Sequence, residues 1–518
     1  MQEATSQAIV DFLLQPSAYP DRTTEIELRE THISWVFLTE RLVYKLKKPV
    51  AFDFLDFSTA AQRRQACEDE VRLNRRLAGD VYLDVVPIVR NVSGALSLGG
   101  DGEEIDCVVK MRRLSDEESL QTRISTGRVS DEDARRIAGR LAKFYAGLPP
   151  APIGPEKHRR EIDQHVRGNR RTLLDAPDHV ADATVKRIHT AQLKYLHGWP
   201  EVFDARVCDG RIAEGHGDLR PEHIYFTPEP IVIDCIEFNK EFRILDALDE
   251  LCFLEMECAH QSAAPIGEKI MESYLEASGD RPPRELHSFY ASYRACVRAK
   301  VSLLRAGQQA GKAHDRDVAE VLRYLAQADA SARQLGDPSL LVVHGLAGVG
   351  KTTVARTVAE RLGMEHLQTD AIRRQLFGED GSPRSYGDGR YTAENRGRVY
   401  QEMFQQTDKL LSAGVSVVLD GTFITGAAQR HAADLARQHA ANLLFVTCEC
   451  PAEVAAERIA QRRASGETLS DAVATTHQQQ RREADPLPTD LPACRVDTTE
   501  ELPSMLSTVL KALRAVSK

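Results

Sequence analysis

Apolar and polar residues alternate early in the chain and recur at helical spacing later. Ser34-Trp35-Val36-Phe37-Leu38 and Leu42-Val43-Tyr44-Lys45-Leu46 flank the polar turn Thr39-Glu40-Arg41, which predicts two strands. A helical period then spans about residues 59–77, and residues 85–89 and 107–111 are further strand positions. Beyond about residue 130 the pattern is mostly helical, except that apolar–polar alternation at 214–238 breaks the period. The pattern predicts a small β-rich lobe, then a larger helical lobe with an embedded hairpin.

A helical stretch at 315–335 ends in Leu335-Gly336-Asp337-Pro338, a helix stop signal. Two domains are expected, residues 1–337 and 338–518. In the second, strands at 340–344, 416–420 and 443–447 alternate with helices at 353–362, 394–412, 427–439 and 452–463. That alternation predicts an α/β fold, a parallel sheet covered by helices on both faces.

The chain has 518 residues and a net charge of −10. Residues 338–518 hold 21 Lys+Arg and 22 Asp+Glu, so the first part carries −9 and the second −1. Neither part reads as a polyanion-binding module, so nucleic acid is not the expected partner. No apolar run approaches the roughly 20 residues of a membrane span. The N-terminus lacks a basic leader, and the ten cysteines are scattered, which points to a reducing cytoplasm.

The most specific motif is Gly345-Leu346-Ala347-Gly348-Val349-Gly350-Lys351-Thr352-Thr353, which fits G-x-x-x-x-G-K-[ST] between a strand and a helix. Gly345, Gly348 and Gly350 let backbone N–H groups wrap nucleotide phosphates at a helix N-terminus opened by Thr353. Lys351 would reach the β/γ-phosphates of ATP and the Thr352 hydroxyl would hold Mg²⁺. Asp420 ends the apolar strand Val417-Val418-Leu419 and is placed to join the Mg²⁺ shell. The domain is short for a motor, and no N-K-x-D base reader of a switch GTPase is present.

The embedded segment of the first part contains His216-Gly217-Asp218 and Ile231-Val232-Ile233-Asp234. A kinase loop needs an Asp that accepts the acceptor hydroxyl proton, a metal ligand a few residues on, and an acidic metal ligand on the next strand. Asp218 and Asp234 stand at the first and last of these places. The segment resembles the aminoglycoside phosphotransferase and choline kinase group, whose bilobal α+β fold is protein-kinase-like. The resemblance implies a structural His216, Asp218 as base and Asp234 as Mg²⁺ ligand. Lys45 falls where the phosphate-holding lysine lies and Glu70 where its partner glutamate lies, with Lys47 and Glu68 as competing choices. The second metal ligand of the group is Asn, and His223 stands there instead. Imidazole suits Mn²⁺ better than hard Mg²⁺, so altered metal use or lost catalysis is implied.

Longer stretches, Thr31-His32-Ile33-Ser34-Trp35-Val36-Phe37-Leu38, Tyr44-Lys45-Leu46-Lys47-Lys48-Pro49-Val50 and Asp234-Cys235-Ile236-Glu237-Phe238-Asn239, resemble one bacterial branch. Its members, bifunctional aminoglycoside phosphotransferase/ATP-binding proteins, join such a domain to a P-loop kinase domain, and the likeness covers essentially the whole chain. Asp246 and Asp249 fit the branch as structural carboxylates.

Thr369-Asp370-Ala371-Ile372-Arg373 resembles the small P-loop kinases, among them gluconate kinase, the zeta toxins and polynucleotide 5′-kinases. The resemblance implies Asp370 as base and Arg373 as a substrate or phosphate contact. It also implies lid arginines, for which Arg458 and either Arg462 or Arg463 qualify, with residues 466–472 as the lid's return. The expected function is ATP-dependent phosphoryl transfer to a small-molecule hydroxyl, with the P-loop half as the seat. The alternatives are a pseudokinase first domain that regulates the second, and a polynucleotide 5′-hydroxyl kinase. The acceptor pocket is expected to draw on residues 378–395.

Overall fold

The computed structural model describes residues 2–21, 23–52, 55–176, 180–308, 310–378, 392–465 and 474–517, without the side chains of residues 2–5, 462–465 and 474–476. The chain divides into two compact units, residues 1–153 with 206–283 and residues 154–205 with 284–518. This partition follows packing, whereas a split at residue 337 follows chain order. Among the described residues no helix is long and apolar enough to cross a membrane.

The first unit is built on an antiparallel sheet in the order Glu27–Glu30, Ser34–Leu38, Leu42–Lys47, Glu103–Arg112, Tyr82–Arg90, Leu96–Leu98. Side chains alternate across it. Tyr44 and Leu46 face a core with Ile9 and Leu13 of the N-terminal helix. Lys45 and Lys47 point the other way, toward the helix Ala60–Ala78, whose Cys67 and Val71 pack on Val109. That helix starts with a capping box between Thr59 and Gln62, which satisfies two otherwise orphaned N–H groups. The embedded hairpin pairs Ile224–Thr227 with Glu229–Val232. Its second strand stops two residues before Asp234, which has φ 62°. Asp246 caps the helix Ala247–His260 by accepting from Leu248 N–H, and it pairs with Arg206.

The second unit carries a parallel sheet in the order Glu365–Gln368, Val417–Asp420, Ser339–His344, Asn442–Glu449, Ala493–Asp497. All six residues of the central strand Ser339–His344 are buried, as a strand covered on both faces requires. Leu341 and Val343 pack against the P-loop helix Lys351–Leu362 and the C-terminal helix Leu502–Val516. Leu340 and Val342 pack against the helices Ala393–Ser412 and Gly426–Gln438. The pattern of apolar residues did not announce the last strand, Ala493–Asp497. It is short and half-exposed, so its periodicity is weak.

Helices Pro155–Leu174, Asp182–Gly198, Arg284–Ala306 and Lys312–Ala332 belong to this unit. The first two finish the P-loop helix at its C-terminus, where backbone carbonyls lack helical partners. Arg167 donates to the carbonyls of Glu360 at 2.8 Å and Arg361 at 2.7 Å, and Thr190 donates to that of Gly363 at 2.7 Å. The buried Lys194 donates to Asp337 O at 2.8 Å and Ser339 Oγ at 2.7 Å, at the foot of the central strand.

Candidate active sites

Each unit brings together side chains that the sequence marks as candidates for handling phosphate. In the first unit the sheet and the helix Ala60–Ala78 bring opposite charges together in a buried setting. Lys45 Nζ lies 2.9 Å from Glu70 Oε1 and 2.8 Å from Asp234 Oδ1. Lys47 Nζ lies 2.6 Å from Glu70 Oε2 and also pairs with Glu237. The open choice between the two lysines is thus divided by geometry. Lys45 bridges to Asp234, whereas Lys47 is sealed in by two carboxylates. Glu68 turns outward and pairs with Arg64.

Burial would raise the Asp234 carboxyl, but Lys45 and His223 beside it outweigh burial and hold it well below the usual range. Burial opposes the charge on Lys45 as well, and Asp234, Glu70 and Glu237 reverse it, so its ammonium stays protonated far up the pH scale. The pairs are mutually supporting: removing one partner strands a buried charge.

The loop after Gly215 is fixed by Glu250, which accepts from the backbone N–H of His216 at 2.9 Å and of Gly217. Gly217 has φ 91°, and a Cβ there would sit 3.0 Å from Ile236 Cδ1. Asp218 follows and pairs with Arg220 at 2.8 Å. His223 Nδ1 lies 2.8 Å from Asp218 O, a contact that needs a proton on Nδ1. Its Nε2 lies 3.2 Å from Arg220 Nη2 and 3.6 Å from Asp234 Oδ2. Arg220 and Glu237 were not singled out by sequence. Their only signals are Arg two residues after Asp218 and the spacing Asp234-x-x-Glu237.

In the second unit the P-loop turns through three glycines with φ 140°, 83° and 90° at Gly345, Gly348 and Gly350. A Cβ at Gly345 would come within 2.5 Å of Cys448 O, and one at Gly348 within 2.6 Å of Ala455 O. No side chain fits at either place. Thr353 lies in the first turn of the helix that follows. Lys351 Nζ lies 2.7 Å from Leu346 O, and Thr352 Oγ1 accepts from Gln368 Nε2 at 3.3 Å.

Asp370 lies in the first turn of the helix Thr369–Phe377 rather than at a strand end, because the strand closes at Gln368. It forms an ion pair with Arg373. Asp420 is 2% exposed, and among the described residues its Oδ2 has no hydrogen-bond partner. His366 Nε2 lies 3.6 Å from it. A cavity of about 910 Å³ opens over these groups, lined by Lys351, Thr352, Asp370, Arg373, Tyr400 and Asp420 among others. It is large enough for a nucleotide and a small acceptor.

Arg458 faces elsewhere. Its guanidinium donates to Thr498 Oγ1 at 2.9 Å and Thr498 O at 2.8 Å, against the outer side of Gly350. The side chains of Arg462 and Arg463, residues 466–472 and most of 378–395 lie outside the described residues.

Known proteins mirror this division. The model of the phosphotransferase enzyme family matches residues 40–246, and an AAA domain model matches residues 340–487. The uncharacterized protein Rv2004c of Mycobacterium tuberculosis is 34% identical over 449 residues, covering 84% of this chain and 86% of its own length. The uncharacterized protein Mb2027c of Mycobacterium bovis matches with the same figures. Among solved structures, a sugar kinase from Janibacter sp. HTCC2649 is 23% identical with a TM-score of 0.28, covering 35% of this chain and 99% of its own. A gluconokinase from Sinorhizobium meliloti 1021 is 20% identical with a TM-score of 0.26, covering 35% of this chain and 93% of its own. The chain therefore belongs to the family of these mycobacterial proteins, and it is an ATP-dependent kinase that joins an aminoglycoside-phosphotransferase-like domain to a P-loop kinase domain.

Proposed function

We propose that the chain transfers the γ-phosphoryl group of ATP to a hydroxyl of a polar small molecule, and that the P-loop site carries the transfer. One observation supports this above the others: a single cavity is lined by Lys351, Thr352, Asp370, Arg373 and Asp420. In the reaction the acceptor oxygen bonds to the γ-phosphorus while the bond to the β–γ bridging oxygen breaks, and ADP leaves. Asp370 takes the acceptor proton, and Arg373 steadies that carboxylate and the transferring group. Lys351 gives up its contact with Leu346 O for the phosphates. The Thr352 hydroxyl and the orphaned Asp420 Oδ2 fit a Mg²⁺ ion, which when bound neutralises developing charge on the phosphate oxygens. Gln401, Gln405 and His431 also line the cavity, which suits an acceptor rich in hydrogen-bonding groups.

The test is ATP turnover with a metabolite extract, the acceptor being identified by the added phosphoryl mass. Activity is expected to fall by about 100-fold or more in Lys351→Ala and Asp370→Asn. Full turnover in Asp370→Asn would remove that residue's role.

His223 supports a second reading, for the first unit. Lys45, Asp218 and Asp234 are placed to hold ATP and an acceptor there, but the imidazole beside Asp234 favours Mn²⁺ over Mg²⁺. Among the described residues no cluster of three or more His, Cys, Asp or Glu is placed to hold a metal. A cation at His223 and Asp234 therefore depends on nucleotide oxygens for its remaining ligands. Nucleotide binding there without turnover makes this unit a regulatory pseudokinase. Calorimetry of the Lys351→Ala chain with ATP, in Mg²⁺ and then Mn²⁺, separates the cases. Equal affinity in both metals argues against the Mn²⁺ preference.

A further inference from the structure

The helix Ala474–Glu483 grips the middle of the phosphate loop. Gln480 Oε1 accepts from the Ala347 N–H at 2.8 Å. His477 Nδ1 lies 2.8 Å from Ala347 O, so the ring carries its proton on Nδ1 and donates it. Positions 477 and 480 are three apart, which puts both side chains on one face of the helix. Both are buried, at 9% and 6% exposure, and Gln480 also lines the nucleotide cavity. The donor and the acceptor of one residue are thus both held by one helix.

A second grip follows two residues on. Thr498 Oγ1 donates to Val349 O at 2.7 Å and is itself held by Arg458. The loop needs such external fixing. Its own backbone forms neither helix nor strand there, and three of its glycines have φ between 83° and 140°. Glycine-rich backbone has many alternatives of similar energy. Lys351 ties the loop to itself through Leu346 O, but in the proposed reaction it gives up that contact for the phosphates.

We propose that His477 and Gln480 are positioning residues of the phosphate loop, which hold the Ala347 peptide fixed so that the neighbouring N–H groups stay aimed at the phosphates when Lys351 changes partner. The proposal rests on the P-loop being the nucleotide site. It assigns the helix that follows residues 466–473 a task in nucleotide binding rather than in covering the transferred group. Arg458, through Thr498, supports the same loop from its other side, which gives that arginine a positioning role in place of a lid role.

The test uses the full chain and a non-hydrolysable ATP analogue. Gln480→Leu and His477→Leu are expected to raise the analogue's Kd and the KM for ATP about tenfold each, with kcat within about twofold. His477→Asn, whose amide N–H reaches the place of Nδ1–H, is expected to restore affinity to within about threefold of the parent. Unliganded melting temperatures of the three variants should agree, so that lost folding is told apart from lost loop order. Hydrogen exchange on the unaltered chain gives a reading free of mutation: the Ala347 N–H, which Gln480 holds, should be protected before any nucleotide is added. Leu and Asn variants at 477 of equal affinity would overturn the clamp, as would an Ala347 N–H that exchanges freely until nucleotide binds. A chain whose analogue binding does not depend on Lys351 would overturn both the clamp and the P-loop reading beneath it.

Discussion

The two candidate sites in this chain address one electrostatic problem, the holding of phosphate, by different means. The first unit meets it with side-chain charges, Lys45 and Lys47 against Glu70, Asp234 and Glu237, carried by elements far apart in sequence. The second meets it with backbone N–H groups in a loop of nine consecutive residues. Side-chain pairs are strong once desolvated, yet each member depends on the others. Backbone donors carry no net charge to desolvate, but they need a loop that holds its shape, hence the glycines and the grips on Ala347 and Val349. The first design depends on partners brought from distant elements, and the second on backbone angles that favour glycine at positions 345, 348 and 350.

The largest effect expected follows directly. Lys351→Ala should lower kcat/KM for ATP by about 100- to 1000-fold, the cost of one strong phosphate contact, while Lys45→Ala leaves it within about twofold. Steady-state kinetics on both variants checks this, and the reverse pattern would move the active site to the first unit. Next, Gly348→Ala should destabilise the second unit by about 2–3 kcal/mol, because φ 83° and the Ala455 carbonyl 2.6 Å away both oppose a side chain. Denaturant titration measures it, and Gly94→Ala, where nothing lies within 4 Å, is the reference for positive φ alone.

A third prediction concerns the scaffold beneath the P-loop. Burial pushes the Lys194 ammonium down to about 8 from its ordinary 10.5, with Asp337 opposing. Between those pH values the unfolded chain holds a proton that the folded chain has released, so this group's contribution to stability rises with pH. Lys194→Met should stabilise the unit by about 1–2 kcal/mol at pH 7, and the gain should shrink toward pH 10.5. Unfolding midpoints at pH 7 and 10 read it, and a gain that grows with pH would contradict it. The smallest effect is at the first site. His223→Asn should shift the metal preference of nucleotide binding from Mn²⁺ toward Mg²⁺ by about tenfold, measured by metal competition in the Lys351→Ala background.

Legibility differed between the two sites for a physical reason. The phosphate loop is local, so its residues are contiguous and its glycines are demanded by backbone geometry. Asp420 was readable because it ends an apolar strand, and Asp370 and Arg373 because they stand in one short stretch that resembles the small P-loop kinases. In the first unit Asp218 and Asp234 came from a short motif. The choice between Lys45 and Lys47 needed the sheet register, since both lie on one strand face. Glu237 was invisible because its partner is 190 residues away. Arg458 was readable as a helical arginine but not by its direction, which Thr498 sets.

By itself, the amino-acid sequence determined the order of strands and helices, the phosphate loop and most acidic positions, because these depend on local periodicity and short motifs, while resemblance to known families supplied the two kinds of kinase fold. Only the tertiary structure decided which lysine meets Asp234, what Arg458 holds, and that His477 and Gln480 grip Ala347. It also decided that residues 154–205 and 284–337 pack with the P-loop sheet. Each of these is a contact between residues distant along the chain, and no spacing in sequence encodes the direction in which a side chain finds its partner.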